Sequence, residues 1–198
     1  MGEDLRVLKT KHNIESQFLR LLEAHDFKEI TIRQIIDGCR INRSTFYRNY
    51  EDKYDLAEKI VGELVERFCR TLNTEFICRK ANGEKSHVSL FMPMLDYFEE
   101  NRRVLMLLHR KPLPVNIFDR MLSVYSESLL REIVRQYRVP KKKLKIAAYF
   151  AQVIAGNILT AMKWWHLENP EISKDGMLEI MIHTVDKGIL SSLDLQFL

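Results

Sequence analysis

Residues 31–56 read TIRQIIDGCRINRSTFYRNYEDKYDL, and this stretch decides the fold. It opens on Thr31-Ile32-Arg33-Gln34, the spacing of a capping box. There the threonine hydroxyl and a glutamine side chain three residues on satisfy two backbone N–H groups that a new helix leaves unpaired. Ile32, Ile35, Ile36 and Cys39 fall on one face of the helix that follows, and Arg40-Ile41 breaks it. Asn42 is a good cap for a third, short helix from Arg43 to about Tyr50. Asp52-Lys53-Tyr54-Asp55 then opens a long helix carrying Leu56, Ile60, Leu64, Phe68 and Leu72. Upstream, Ile14, Phe18, Leu21 and Leu22 recur at spacings of three and four, which predicts a helix from about Lys9 to His25.

Two short helices across a tight turn, with an earlier helix behind them, form the helix-turn-helix plan. Ile41, Phe46 and Tyr50 are the large groups able to pack against the isoleucine face. Arg43, Ser44, Thr45, Tyr47 and Arg48 then remain outside, with Asn42 at the helix start. Small hydroxyls let a helix approach a major groove, and the longer donors reach base edges or phosphates. Helix starts at Thr31 and at Asp52-Lys53 flank this surface, where N–H groups and the helix dipole favour phosphate oxygens. Arg33 lies in the first turn of one, and Lys53 adds a mobile cation at the other. The expected nucleic-acid face is therefore Thr31, Arg33, Asn42, Arg43, Ser44, Thr45, Tyr47, Arg48 and Lys53.

Composition agrees without deciding. The 198 residues are 46% hydrophobic and 29% charged, with seven Gly and five Pro, which excludes collagen-like and disordered chains. The net charge is +4, of which +1 falls within residues 1–53 and +3 beyond, so anion binding rests on the placement of charge. No apolar run was expected to reach the roughly 20 residues of a bilayer span. The start MGEDLRVLKTKH has no apolar signal core, so a cytoplasmic protein with no membrane partner is expected. Cys39, Cys69 and Cys78 lack CxxC spacing and read as reduced packing residues. His109 and His166 stand without a partner at metal spacing, and the chain has no phosphate-cradling Gly loop, GxSxG or HExxH. No enzyme, metal or cofactor is expected.

Beyond Gly83 the pattern stays helical. Helices are predicted from about Ser86 to Glu100, Arg103 to Arg110, Asn116 to Tyr137, Pro140 to Glu168 and Lys174 to Leu195. The chain is thus all-α with about nine helices. A helix-turn-helix head, residues 1–53, joins a helical body, residues 54–198. Within the body, Ala147, Ala151, Ala155, Ile158 and Met162 make a row that lets another helix approach, as do Ile180, Thr184 and Gly188. Arg138, Lys141, Lys142, Lys143 and Lys145 form the densest basic cluster, read as a solvated loop.

Residues 31–56 resemble the DNA-binding signature of TetR-type (TetR/AcrR) bacterial transcriptional regulators. The resemblance is carried by Ile-Asn-Arg-Ser-Thr-Phe-Tyr at 41–47, Tyr50 and Lys53. It implies phosphate contacts at Thr31, Arg33, Tyr47 and Lys53, and base or adjacent phosphate contacts at Arg43, Ser44, Thr45 and Arg48. Arg40 departs from the glycine usual in the family's turn, and a left-handed backbone there would be strained. Asn49 and Tyr50 also depart from the usual Tyr or His and Phe. The segment AAYFAQVIAGNILTAMKWWHLENPEIS, residues 147–173, resembles a subset that includes regulators of dihydroxyacetone-kinase operons. The resemblance implies a homodimer held by the two small-residue rows, a palindromic double-stranded operator, and an apolar or aromatic effector in the body, with repression the expected sign. Phe98, Met106, Met121, Tyr125 and Trp164 are the expected effector contacts. Because that subset contains a coactivator, an adaptor acting through a protein partner is the alternative.

Overall fold

The computed structural model describes residues 5–74, 77, 84–169 and 171–184, the side chains of 84–89 and 183 excepted. Among these residues there are nine α-helices and no strand. They are α1 (Leu5–Ala24), α2 (Ile32–Cys39), α3 (Arg43–Asn49), α4 (Lys53–Cys69), α5 (Glu84–Glu100), α6 (Arg102–Arg110), α7 (Ile117–Tyr137), α8 (Leu144–Lys163) and α9 (Lys174–Thr184). The all-α expectation is met. Two compact units divide the chain: one takes in residues through Leu64 together with Arg103–Ile117, the other Val65–Arg102 and the chain from Phe118.

In the first unit, α1 buries Ile14, Phe18 and Leu22, one residue per turn on a single stripe. The Thr31 capping box forms as its spacing dictates. The Gln34 N–H donates to Thr31 Oγ1 at 3.3 Å, and the Thr31 N–H donates to Gln34 Oε1 at 2.7 Å. Of the predicted inward face of α2, Ile35 and Cys39 are fully buried while Ile32 and Ile36 are half-buried. A Cβ on Gly38 would come within 2.2 Å of the Gln17 side chain, so close is the approach of α2 to α1. Asn13 adds a polar stitch, its Nδ2 donating to the Cys39 carbonyl at 3.2 Å.

Arg40 ends α2 in the left-handed conformation, φ 54° and ψ 43°. The Ile41 N–H reaches the Ile36 carbonyl and the Arg40 N–H the Asp37 carbonyl, the paired bonds of a Schellman cap. The strain anticipated at Arg40 is therefore present. Asn42 holds the cap position of α3, but its side chain makes no cap hydrogen bond. Its predicted capping role is corrected: position, not side chain, starts α3.

The segment Arg103–Ile117 belongs with the first unit, which its sequence did not announce. Arg103 pairs with Glu23 at 2.7 Å and Lys111 with Asp26 at 2.5 Å, while Leu105, Leu108, Leu113 and Ile117 enter the core.

The second unit packs α5, α7, α8, α9 and the end of α4. Pro93 lies inside α5, which continues through it. Arg138 is a second left-handed residue (φ 49°) closing α7, its Val139 N–H bonded to the Val134 carbonyl. The basic cluster follows as a 3-10 turn, Lys141–Lys143, with Lys141, Lys142 and Lys145 exposed. α8 passes into a π-helical turn, Trp164–Glu168, before Ser173 caps α9. Two expectations are corrected here. Lys141–Glu168 is, by length and composition alone, long and apolar enough to cross a membrane; in the structure α8 buries eight of its residues inside the unit. Cys69 is exposed rather than packed, while Cys39 is buried and Cys78 lies outside the described residues.

Candidate nucleic-acid interface

The seven-residue α3 presents a polar surface on one side because its other side is spent on packing. Phe46 has no exposed area and Tyr50 is 2% exposed, and the two rings meet at 5.8 Å. Tyr50 Oη donates to Glu15 Oε1 at 2.7 Å, pinning the end of α3 to α1. Burial pushes both groups upward from their ordinary pKa ranges, and the hydrogen bond moderates the shift of the carboxyl. Asn49 Nδ2 donates to the Thr45 carbonyl at 2.8 Å.

The outward side carries Arg43, Ser44, Tyr47 and Arg48, all exposed, with Thr45 half-buried. Arg43 and Tyr47, one turn apart, are pre-paired: the guanidinium lies 5.4 Å from the Tyr47 ring centre and its Nη2 is 3.5 Å from Tyr47 Oη. Such stacking limits the rotamers of a long cation before any ligand arrives. Asn42 is exposed beside this set. Arg33 is also exposed, loosely facing Asp37 at 3.6 Å. At the start of α2 the N–H groups of Ile32 and Arg33 keep no partner among the described residues, as first-turn groups ordinarily do.

The start of α4 departs from expectation. Asp52 Oδ1 accepts the N–H groups of Tyr54 and Asp55 at 2.7 and 2.8 Å, and Asp55 Oδ2 accepts that of Glu51. This terminus is satisfied by its own carboxylates and is not an open anion site. Lys53 is no mobile cation either. Its Nζ donates to the carbonyls of Phe27, Lys28 and Ile30 at 2.9, 3.1 and 2.8 Å, over the Phe27 ring at 4.7 Å. The α1–α2 loop turns its carbonyls inward, and an ammonium with three donors meets all three. Sequence could mark Lys53 as a cation near a helix start, but only the folded loop supplies its acceptors.

The expected partner row of α8 is corrected as well. Ala147, Ala151, Ala155, Ile158 and Met162 are all at most 1% exposed within the chain's own second unit. At 100° per residue the opposite side of α8 carries Ile146, Tyr149 and Val153, all exposed, with Thr160 continuing the row. Ile180 and Thr184 of α9 are exposed, and Gly188 lies outside the described residues.

The five expected effector contacts do not converge. Phe98, Met121 and Tyr125 are wholly buried in the second unit, Trp164 is exposed, and Met106 sits on α6 in the first unit. An open cleft of about 640 Å³ in the first unit is lined from Asp26–Lys28, Tyr54 and Arg110–Pro114, and by none of the five.

No protein-family model matches the chain. Solved structures do. A TetR transcriptional regulator from Streptococcus agalactiae 2603V is similar with a TM-score of 0.60 and 22% identity, over 92% of this chain and 96% of that one. A putative TetR-family transcriptional regulator from Syntrophomonas wolfei str. Goettingen gives 0.64 and 16%, over 95% and 98%. The dihydroxyacetone kinase operon activator DhaS gives 0.56 and 14%, over 92% and 95%. Among curated proteins, the uncharacterised HTH-type transcriptional regulator YxbF of Bacillus subtilis (strain 168) is 24% identical over 89 residues, 45% of this chain. The match spans only 23% of that relative's length. The fold is that of the TetR-type transcriptional regulators, DhaS among them.

Proposed function

We propose that the chain is a ligand-responsive, dimeric DNA-binding transcriptional regulator that binds a palindromic operator in the major groove and represses from it. One observation carries this reading: Phe46 of α3 and Tyr50 just after it are buried, while Arg43, Ser44, Tyr47 and Arg48 stay exposed on the other side. Arg43, Ser44, Thr45 and Arg48 read base edges or adjacent phosphates, with Asn42 beside them; Tyr47, Arg33 and the Thr31 helix start hold phosphates. Lys53 acts from within, by holding the loop that leads to Thr31. Self-association uses the outer row of α8, Ile146, Tyr149 and Val153, with Ile180 and Thr184. Two recognition helices must reach half-sites about 34–36 Å apart, which a twofold pair provides. An uncharged effector bound in the second unit favours one of two head arrangements, and its differential affinity sets the response.

The test is fluorescence anisotropy with the DNA upstream of its own gene and with palindromes selected from a random pool, alongside sedimentation to fix the oligomeric state. Specific binding that weakens steeply with salt supports the reading. A second reading, an adaptor working through a protein partner, draws on the occupied state of Lys53 and of the α4 start. Absence of specific binding to every selected palindrome overturns the operator reading.

A further inference from the structure

Away from α3, the first unit also carries the open cleft of about 640 Å³, a volume in the range of small-molecule sites. Three apolar side chains line it. Phe27 and Leu113 are buried, so they offer a firm apolar surface. Tyr54 is 55% exposed, yet its ring is held, edge-on to Phe27 at 5.1 Å and 5.8 Å from the Lys53 ammonium. Pro112 and Pro114 fix φ on both sides of Leu113, and each confines the residue before it to extended backbone. This side of the cleft is therefore stiff before any ligand arrives.

The charge around the cleft is uneven. Lys28, Arg110 and Lys111 line it with a single carboxylate, Asp26. Lys111 Nζ pairs with Asp26 Oδ1 at 2.5 Å and holds that carboxyl below its usual range, so these two charges answer each other. The same pair ties together the two loops that carry the remaining cations. Arg110 is one residue before Lys111, and Lys28 is two after Asp26. Both are exposed, and among the described residues neither side chain makes a hydrogen bond or an ion pair. Backbone groups nearby are largely taken. Lys53 binds the carbonyls of Phe27 and Lys28, the Leu107 carbonyl accepts from the Lys111 N–H, and the prolines have no N–H to give. A sugar or a base edge meets few partners here, whereas a plain ring meets three apolar side chains.

We propose that this cleft binds a flat aromatic carboxylate, its ring against Tyr54 and Leu113 and its charge at the rim that Arg110 and Lys28 supply. Ring and charge are both needed. An aromatic face on Tyr54 gains from stacking and from apolar area removed from water. The Arg110 guanidinium offers a carboxylate a planar fork of donors, and the Lys28 ammonium adds positive charge without a fixed geometry. The site goes beyond the function proposed above, since it belongs to the first unit and not to the second. It sits on the loop that Lys53 holds and that leads into Thr31.

The test uses the full chain without DNA and three probes: naphthoate, naphthamide as the same ring without the charge, and acetate as the charge without the ring. Calorimetry should show saturable naphthoate binding at least tenfold tighter than either of the others, and weaker as salt rises. Lys28→Gln with Arg110→Gln should lose at least tenfold in naphthoate affinity and leave naphthamide unchanged. Tyr54→Ala should weaken both naphthyl probes at least threefold. In parallel, the backbone amide resonances that naphthoate moves in the unaltered chain should centre on Phe27, Lys28, Tyr54, Arg110 and Leu113, a readout that needs no variant to fold. Equal affinity for naphthoate and naphthamide, an unchanged naphthoate affinity in the double variant, amide shifts centred elsewhere, or no binding of naphthoate overturns the proposal. With DNA absent throughout, failure of operator binding leaves this result standing, and failure here leaves the operator test intact.

Discussion

The α3 face and the Tyr125–His166 core treat polar groups in opposite ways. Around α3, three polar groups are tied down inside the head: Lys53 by three carbonyls, Tyr50 by Glu15, the α4 start by Asp52. What stays exposed on α3 is one row of polar side chains, Arg43, Ser44, Tyr47 and Arg48. In the second unit the reverse holds. The surroundings are aromatic and two polar atoms are left open. A surface that meets a rigid, repeating polyanion gains from fixed donors, since ordering long cations at the moment of binding costs entropy. In the second unit, Tyr125 Oη and His166 Nε2 stay without a partner among the described residues, at a cost of roughly 1–3 kcal/mol each.

The contrast can be broken at several points. The largest expected effect is on DNA: Arg43→Ala with Tyr47→Ala should weaken binding about a hundredfold or more, across all sequences, and flatten the dependence of affinity on salt. An unchanged salt slope in anisotropy titrations would remove α3 from the contact surface. Next, Lys53→Met should destabilise the chain by about 2–3 kcal/mol in urea unfolding, since three carbonyls lose a charged donor. Unaltered stability with weakened DNA binding would return Lys53 to the role of a phosphate ligand. The pH dependence tests the other region. Burial holds His166 near 4, below its ordinary 6.5, so between these values the unfolded chain binds more protons and stability falls as pH falls. The full effect is about 3 kcal/mol by pH 4, and His166→Gln should make the decline shallower by that order. The smallest effect sharpens the head: Arg40→Gly should raise stability by about 1 kcal/mol, because only glycine adopts φ 54° without cost.

Much of the head was legible because its signals are local. Thr31 and Gln34 lie three residues apart, and a capping box needs only that spacing. The break at Arg40 and the inward side of α3 follow from where large apolar residues stop and resume. Asn42 shows the limit, since its position was readable and the absence of its side-chain bond was not. The α8 row illustrates the same limit at longer range. Ala147, Ala151 and Ala155 permit close approach by any helix, and periodicity says nothing of whose helix it is. The chain's own second unit took that face, leaving Ile146, Tyr149 and Val153 outside. Met106 and Trp164 looked like companions of Tyr125 by residue type, yet helix assignment put one in the other unit and exposure put the other at the surface.

By itself, then, the order of residues determined the helical class, the helix-turn-helix spacing, the break at Arg40 and the polar row on α3. All of these depend on neighbours within about four residues, where backbone geometry is stereotyped. Tertiary structure alone decided that the Lys53 ammonium serves the loop at Phe27–Ile30, which of two faces of α8 is free, and that Tyr125 and His166 are linked through the rings of Phe68 and Phe98. These depend on groups 20 or more residues apart. Their pairing is set by which surfaces the core consumes, and no local rule contains that competition.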